Sequence, residues 1–121
     1  SELFVHVKKL RWNFINRDQR LKYASMYQWY VENLVNRFVL MPSGEVTFQN
    51  RGNPSGQIST TMDNNMLNYW LQAFEFGYLY GLDYDEWIKC DTVIYGDDRL
   101  SRIPYELPDH IERLVSMYKE I

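Results

Sequence analysis

The stretch that most constrains the fold of this chain is a glycine- and proline-containing loop, Gly52 to Gly56, that runs straight into a helical pattern. Glycine lets a backbone approach a ligand closely, and the free amides at a helix start bind anionic or polar groups. The pattern predicts a long helix from Ser59 to near Gly81, with Ser59 or Thr60 as its N-cap. The loop is therefore either a ligand-binding loop or only the entry to that helix.

Two adjacent acids, Asp97 and Asp98, stand at the tip of a predicted hairpin whose strands are residues 92–95 and 99–101. A tight turn lets both carboxylates approach one metal cluster, and Mg²⁺ prefers such oxygen ligands. Phosphoryl transfer uses two divalent ions held in this way. The same turn, residues 96–98, is equally typical of an ordinary protein surface.

Three further side chains are candidates for ligand contact. Thr60 and Asn64 share one face of the predicted helix, where they either read a ribose hydroxyl or belong to a solvated surface. Ser55 adds a hydroxyl to the loop. Arg99 follows the two acids directly and is predicted either to contact a phosphate or to pair with Asp97 or Asp98.

Composition limits the class of protein. A chain of 121 residues, 45% hydrophobic and 17% aromatic, forms one domain at most and exposes part of its aromatic surface when isolated. No apolar run reaches the roughly 20 residues of a membrane span, and no signal peptide is visible. The net charge of −3 argues against a free-standing nucleic-acid binder. Because the chain opens in a helical pattern without a methionine, we expect an excerpt of a larger protein.

The single cysteine, Cys90, has no partner for a disulfide and cannot build a cysteine zinc site. It is predicted to be a small buried residue in a protein of a reducing compartment. His6 and His110 lack the spacing of metal ligands and are predicted to lie at the surface.

The first half of the chain predicts two helices and a hairpin. Asn16 or Asp18 caps the second helix, and residues 38–41 and 45–48 flank a Pro/Gly turn. The first helix is predicted to have a solvated basic face at Lys8, Lys9 and Arg11. The predicted buried stripes are Leu3, Val7, Leu10 and Phe14, then Leu21, Ala24, Tyr27, Val31, Leu34 and Phe38.

The second half adds helices around the predicted hairpin. Asp83 caps a short helical turn at residues 84–89, and Asp109 with Glu112 predicts a capping box for a last helix. The long helix is predicted to pack through Met62, Met66, Tyr69 or Trp70, Ala73, Phe74 and Gly77, and the last one through Ile111, Leu114, Val115 and Tyr118.

These motifs resemble a known family. The pattern of Gly52, Pro54-Ser55-Gly56, Thr60 and Asn64 resembles motif B of positive-strand viral RNA-dependent RNA polymerases, and Tyr95-Gly96-Asp97-Asp98 resembles their motif C. The wording Gly-Asn-Pro-Ser-Gly-Gln-Ile-Ser-Thr-Thr and then Tyr-Gly-Asp-Asp-Arg-Leu is most similar to the astrovirus polymerases. The similarity extends over nearly the whole chain.

The resemblance implies an α+β fold, a partial polymerase palm in which a small antiparallel sheet carries the acidic turn and helices pack on one face. Residues 1–121 are then a single palm subdomain fragment, with motif B at about residues 51–80, motif C at about 91–101 and the helix of motif D from about 109.

The implied activity is that of an RNA-directed RNA polymerase, a nucleotidyltransferase that extends an RNA 3′ end in viral genome replication and transcription. The implied catalytic residues and metal ligands are Asp97, the principal ligand, and Asp98, a secondary one near the primer end. The implied cofactor is Mg²⁺, with Mn²⁺ as a substitute. The partners are an RNA template, a primer or nascent strand, and ribonucleoside triphosphates.

The implied nucleotide and RNA contacts come from motif B and from Arg99. Ser55 and Gly56 form a mobile loop that adjusts to template and nucleotide. Thr60 and Asn64 select a ribose through its 2′-hydroxyl, which separates RNA from DNA substrates.

Several family features are expected outside the chain. The motif A aspartate is expected upstream of Ser1 and the motif D lysine beyond Ile121, whereas Lys119 is interpreted as a solvated helix residue. Without motif A, fingers and thumb, the isolated chain is predicted to be inactive. The complete polymerase is expected in the host-cell cytoplasm, in a viral replication complex.

Two alternatives stay open. A reverse transcriptase palm also carries a Tyr-x-Asp-Asp turn, but it usually has Leu-Pro-Gln-Gly at residues 53–56 and needs no equivalent of Asn64. The other alternative is a non-catalytic, acidic, aromatic-rich interaction domain whose acid pair is only a turn.

Overall fold

The computed structural model describes residues 2–121 and divides the chain into two compact units, with the boundary between Asn64 and Asn65. Five helices and four strands lie in this described part. The first unit holds α1 (Glu2–Asn13), α2 (Arg17–Val35), β1 (Arg37–Leu40), β2 (Val46–Gln49) and the start of α3 (Thr60–Tyr80). The second holds the rest of α3, α4 (Tyr84–Trp87), β3 (Asp91–Tyr95), β4 (Asp98–Arg102) and α5 (His110–Glu120). Across residues 2–121 no helix combines the length and the apolar character that crossing a membrane requires.

The first two helices are joined by Asn16, whose side chain accepts a hydrogen bond from the backbone N–H of Asp18 at 2.9 Å. This N-cap confirms the first of the two predicted candidates. The ring of Trp12 stacks on Tyr27 at 4.5 Å between centroids, and the Tyr27 hydroxyl donates to the carbonyl of Lys8 at 2.8 Å. Aromatic stacking and a half-buried hydrogen bond therefore hold α2 against α1.

The predicted apolar stripes of these helices are only partly buried. In α1 the buried residues are Phe4, Val7 and Lys8, and no residue of α2 is buried. The stripe residues that prove exposed include Leu10, Phe14, Leu21 and Phe38. The prediction was wrong for Leu10 and Leu21 because α1 and α2 meet along one narrow contact within residues 2–121. It was wrong for Phe14 and Phe38 because these residues lie beyond the ends of the two helices, Phe38 within β1.

The first hairpin, β1 with β2, is confirmed. The strands pair antiparallel with Phe38 opposite Phe48, and their rings meet edge to face at 5.3 Å. Arg37, the first residue of β1, donates from its guanidinium to the carbonyls of Arg51 at 3.0 Å and Gly52 at 3.2 Å. The hairpin thereby fixes the start of the glycine loop.

The α+β class is confirmed, with the antiparallel strands arranged as two separate two-stranded sheets. In the second sheet Tyr95 pairs with Asp98, so the turn consists of Gly96 and Asp97 alone. Asp98 is the first residue of β4, which corrects the predicted three-residue turn. Gly96 has φ +63°, a conformation that a side chain disfavours, so the tight turn depends on a glycine here.

The long helix α3 begins and ends as predicted, but its buried face is polar. Asp63, Gln72, Glu75 and Phe76 are buried, whereas the predicted core residues Met62, Tyr69 and Trp70 are exposed. Polar side chains can occupy this face because each finds hydrogen-bond partners. Gln72, for example, donates to the hydroxyl of Thr92 at 2.8 Å and to that of Ser101 at 2.5 Å, one on each strand of the second hairpin.

The predicted cap of α4 is confirmed and that of α5 is wrong. Asp83 and Glu86 form a reciprocal capping box at α4, which ends at Trp87. Asp109 precedes α5 with φ +52° and makes no side-chain cap hydrogen bond. This left-handed backbone replaces the extended conformation that a capping box needs.

The last helix buries Met117, whereas Ile111, Val115 and Tyr118 of its predicted packing face are exposed. His110 is half-buried rather than at the surface, because its Nδ1 lies 2.9 Å from the Tyr80 hydroxyl and its ring packs against Phe76. His6 is exposed, as predicted. Cys90 is half-buried ahead of β3, and burial together with the nearby Asp91 raises the pKa of its thiol.

Candidate active site

In the first unit, Thr60 ties the glycine loop to the helix that follows it. Its hydroxyl lies 2.6 Å from the carbonyl oxygen of Pro54 and 2.9 Å from that of Gln57. The single hydroxyl proton is shared between these two acceptors, so a ligand meets Thr60 through the oxygen lone pairs.

Asn64, one helical turn beyond Thr60, is held by a residue of the loop. The side-chain NH₂ of Asn53 donates to the Asn64 Oδ1 at 2.9 Å and to the backbone carbonyl of Thr60 at 3.3 Å. The first unit therefore brings together both predicted ribose-reading residues, with Asn53 between them. Sequence analysis did not single out Asn53, since asparagine in such a loop is typical of a turn.

Ser55 and Gly56 form the exposed tip of the loop. The Ser55 hydroxyl makes no hydrogen bond within residues 2–121, and a Cβ at Gly56 would meet no atom within 4 Å. Gly52 differs, because its φ of +76° favours glycine on backbone grounds. No contact within residues 2–121 thus requires glycine at residue 56.

Asp63 is fully buried beneath the loop. Its carboxylate lies 2.6 Å from the Lys8 Nζ and 2.7 Å from an Arg11 nitrogen, and it accepts hydrogen bonds from Gln57 and Ser59 at 3.0 Å each. Burial alone would raise the pKa of Asp63, but the hydrogen bonds from Lys8, Arg11 and Gln57 outweigh it and lower the pKa. The carboxylate is therefore a permanent acceptor at the base of the loop.

The predicted solvated basic face was wrong at Lys8, which is 2% exposed and pairs with the fully buried Asp63. No local signal marks the pair, because the two residues lie on helices that are far apart in sequence. Lys9 is exposed, as predicted for the basic face.

In the second unit, Asp97 and Asp98 are both exposed at the tip of the β3–β4 hairpin. Within residues 2–121 neither carboxylate takes part in an ion pair. The hairpin thus presents two adjacent charged oxygen donors without a protein cation to neutralise them.

The turn that carries these acids is fixed by two asparagines of α3. The Asn65 Oδ1 accepts from the backbone N–H of Gly96 at 2.6 Å. The Asn68 NH₂ faces the carbonyls of Gly96 at 3.3 Å, Asp97 at 3.0 Å and Asp98 at 3.4 Å. Both asparagines were missed, although a row of polar residues at helical spacing on α3 was the available signal: Asn65, Asn68, Gln72 and Glu75.

Arg99 pairs with Glu75 rather than with Asp97 or Asp98, which corrects that half of the prediction for it. Glu75 is buried and also accepts a hydrogen bond from the Tyr118 hydroxyl at 2.8 Å. Burial and this bond to a carboxylate raise the pKa of Tyr118 to about 12. The cation beside the turn is thus paired with another acid and with neither of the two turn carboxylates.

Comparison with known proteins assigns the family. The profile of the family described as viral RNA-dependent RNA polymerase matches residues 2–121. The chain belongs to this family. Viral RNA-dependent RNA polymerases form the class that the motif pattern indicated, and membership favours it over both the reverse transcriptase and the non-catalytic alternative.

The relatives of this polymerase chain are astrovirus polyproteins. The non-structural polyprotein 1AB of Human astrovirus-1 is 64% identical over 119 residues, which cover 98% of this chain and 8% of the polyprotein. The corresponding polyprotein of Ovine astrovirus 1 is 47% identical over 127 residues, 100% of this chain and 9% of the relative. That of Avian nephritis virus 1 is 40% identical over 128 residues, 99% and 8% respectively.

The chain therefore spans less than a tenth of the length of these polyproteins and corresponds to an RNA polymerase region. The predicted similarity to astrovirus polymerases is confirmed. No solved structure matches the chain.

Viral RNA-dependent RNA polymerases generally use divalent metal ions. Within residues 2–121 no cluster of three or more His, Cys, Asp or Glu residues is arranged to hold a metal. Mg²⁺ is nevertheless commonly bound through one or two carboxylates together with water and substrate phosphates. The exposed pair Asp97 and Asp98 fits that smaller donor set.

Proposed function

We propose that this chain is the part of a viral RNA-dependent RNA polymerase palm that supplies metal-binding acids and nucleotide contacts. The complete enzyme transfers ribonucleoside monophosphates to an RNA 3′ end on an RNA template, in replication and transcription of a viral genome. The observation that carries the proposal is the pair Asp97 and Asp98, which is exposed, makes no ion pair in the part of the chain that the structure describes, and is held in a tight turn by α3.

Asp97 is the principal ligand for Mg²⁺ and Asp98 a secondary one, with Mn²⁺ able to substitute. Two such ions, held there, would supply Lewis-acid activation of the attacking 3′-hydroxyl and charge stabilisation for the leaving pyrophosphate. The chain's own contribution is to fix the donors before reaction. The Asn65 and Asn68 contacts to the turn backbone do this, because they restrict the motion of the turn that carries both carboxylates.

Ser55 and Gly56 adjust to the template and the incoming nucleotide. Their exposure supports this role, as does the open space around Gly56, which no intramolecular contact fills. A glycine that the folded chain does not require is expected where another backbone or a ligand passes closely.

Thr60 and Asn64 read the 2′-hydroxyl of the incoming ribonucleotide. The first offers hydroxyl lone pairs and the second an amide, both held in place by the loop. The predicted phosphate contact of Arg99 stays a prediction. Its bonds to Glu75 and to the Asn68 backbone favour a structural role.

The partners that follow from this function are an RNA template, a primer or nascent strand and ribonucleoside triphosphates. The remainder of the polymerase supplies motif A, fingers and thumb, and the isolated chain is inactive without it. We place the enzyme in the host-cell cytoplasm, within a viral replication complex.

The test is RNA-templated nucleotide incorporation by the complete polymerase, with ribo- or deoxyribonucleotides and with Mg²⁺ present or chelated. We expect extension by the unaltered protein with ribonucleotides and metal only, and its loss in Asp97→Ala. Equal activity of the two proteins would refute the role of Asp97. Equal use of deoxyribonucleotides would point to a reverse transcriptase instead.

A further inference from the structure

We propose that Asn53, backed by Gln57, is a positioning residue that fixes the direction of the Asn64 amide, so that its NH₂ group donates to the 2′-hydroxyl oxygen of the incoming nucleotide. The inference rests on the function proposed above and deepens it. Asn53 lies outside the sugar contact and sets sugar selectivity through the direction of the hydrogen bond that Asn64 makes.

The first step is the orientation of Gln57. The backbone N–H of Ser59 donates to the Gln57 Oε1 at 2.9 Å. A backbone N–H only donates, so this atom is the amide oxygen and the other is the NH₂ group. That NH₂ group lies 3.0 Å from the Asp63 Oδ2, a carboxylate oxygen that only accepts. Both ends of the Gln57 amide are thus determined.

The second step is the orientation of Asn53. The same Gln57 NH₂ donates to the Asn53 Oδ1 at 3.1 Å. At the other end the Asn53 NH₂ donates to the backbone carbonyl of Thr60 at 3.3 Å. A donor on one side and an obligate acceptor on the other leave the Asn53 amide a single satisfied orientation.

The third step reaches Asn64. The Asn53 NH₂ lies 2.9 Å from the Asn64 Oδ1. A rotated Asn64 would set two NH₂ groups against each other, so its oxygen stays on the Asn53 side. The Asn64 NH₂ points away from Asn53, has no acceptor within residues 2–121 and remains available to a ligand on this half-buried face.

The series of hydrogen bonds behind Asn64 leads back to the buried carboxylate of Asp63. Asp63 is 0% exposed and is balanced by Lys8 at 2.6 Å and Arg11 at 2.7 Å. Because its carboxylate is neutralised by these two cations, it remains an acceptor while the polymerase works. A continuous series of hydrogen bonds therefore runs from Asp63 through Gln57 and Asn53 to Asn64. It begins at the buried ion cluster and ends at the proposed sugar contact.

The direction of the bond has a chemical signature. A 2′-hydroxyl can donate or accept, a 2′-fluorine can only accept weakly, and a 2′-deoxy carbon can do neither. An NH₂ group aimed at the sugar therefore favours a 2′-fluoro nucleotide over the 2′-deoxy one, whereas an amide oxygen aimed there does not. The preference between these two analogues reports the orientation of Asn64.

The experiment measures kcat and KM of the complete polymerase on an RNA template with ribo-, 2′-deoxy- and 2′-fluoro-nucleoside triphosphates. Asn53→Ala removes the donor that orients the Asn64 amide. Asn53→Asp replaces this donor with an acceptor and therefore favours the opposite orientation of the Asn64 amide. Asn50→Asp is the matched control, because it adds the same charge at an exposed loop residue nearby. Asn64→Ala reports the sugar contact itself.

We expect Asn53→Ala to lower the ribo-over-deoxy preference by about tenfold, the effect of one hydrogen bond, with most of the change in KM for the ribonucleotide. In Asn53→Asp the 2′-fluoro analogue should lose its advantage over the 2′-deoxy nucleotide, and Asn50→Asp should match the unaltered enzyme. If Asn53→Asp folds poorly, Asn53→Ala carries the test, since alanine adds no charge.

The outcomes separate this inference from the proposed function. If Asn64→Ala loses sugar preference while both Asn53 variants keep it, the positioning role is wrong and the polymerase assignment stands. If Asn64→Ala also keeps the preference, both the proposed sugar contact of Asn64 and the positioning role of Asn53 are wrong. An unaltered enzyme that incorporates no ribonucleotide on RNA overturns both.

Discussion

At Asp63 a carboxylate with no exposed surface faces the ammonium of Lys8, itself only 2% exposed. The two charges stabilise each other where neither can be hydrated. Arg11 differs, because its side chain is 32% exposed and can reach water. Because Lys8 is more deeply buried than Arg11, removal of the Asp63 charge leaves the Lys8 ammonium buried without a counter-charge.

We therefore predict that Asp63→Asn destabilises the first unit by about 3–5 kcal/mol, because it leaves the Lys8 charge buried and unpaired. The double variant Lys8→Met with Asp63→Asn should recover part of this loss. Hydrogen exchange of the α1 amides in the complete polymerase measures both effects. A cost below about 1 kcal/mol, or a double variant less stable than the single one, would contradict the buried pair.

Sequence reasoning could single out the two acids and the pair Thr60 and Asn64 as site candidates, because residue type and spacing are local properties, and their roles stay predictions. Asp97 and Asp98 do lie together in the tight hairpin end, and Thr60 and Asn64 do share one helix face. The partner of Arg99 could not be predicted, since Glu75 is brought beside it by the packing of α3 on the hairpin.

At the scale of elements, helix α3 is the scaffold of the second hairpin. Its asparagines bind the turn, and Gln72 bonds to both strands below it. Element boundaries were predictable from caps, turns and periodicity, whereas the buried face was not. Hydrophobic periodicity predicts that Tyr69 and Trp70 face the hairpin. The hairpin instead presents hydroxyls and carbonyls to α3, and amide side chains satisfy these groups.

We predict that Asn68→Ala lowers the single-turnover incorporation rate of the complete polymerase by about tenfold, because the acidic turn loses its main side-chain donor. Asn33→Ala is the matched control, since this exposed asparagine bonds only within α2. Rapid-quench kinetics at saturating nucleotide would show the difference. Equal rates for the two variants would mean that the turn is positioned without Asn68.

The contact between α5 and α3 includes the hydrogen bond from the Tyr118 hydroxyl to Glu75. Because its pKa is raised from 10.0 to about 12, the Tyr118 hydroxyl stabilises the folded form below pH 10 and loses this effect as the pH rises toward 12. Difference absorbance between the unaltered protein and Tyr118→Phe isolates this residue. No tyrosinate signal from it is expected at about pH 10.5, although an unperturbed tyrosine would be more than half ionised there.

At the scale of the whole molecule, much apolar surface is uncovered within residues 2–121. Large side chains more than half exposed include Phe14, Leu21, Trp29, Phe38 and Ile58. The relatives carry this region inside polyproteins of which it is 8–9%, and we propose that other parts of the polymerase cover these side chains. Composition alone indicated the excess, but periodicity could not say which residues of each helix stay uncovered.

We predict that the isolated 121-residue chain binds a hydrophobic fluorescent dye strongly and shows no nucleotide incorporation, whereas the complete polymerase binds less dye per mole. Fluorescence titration of both proteins at equal molarity makes the comparison. Weak dye binding by the isolated chain would contradict the proposal that other parts of the polymerase cover its exposed apolar side chains.

If Asp97 carries the metal-dependent chemistry, single-nucleotide incorporation by the complete polymerase depends on its carboxylate. Asp97→Asn removes one charge at the turn, and Asp109→Asn makes the same change at an exposed residue whose side chain caps nothing. Asparagine also tolerates the left-handed backbone of residue 109. We predict a fall of at least about 100-fold for Asp97→Asn and a change within about twofold for Asp109→Asn. A polymerase that keeps its rate without the Asp97 carboxylate would contradict the account.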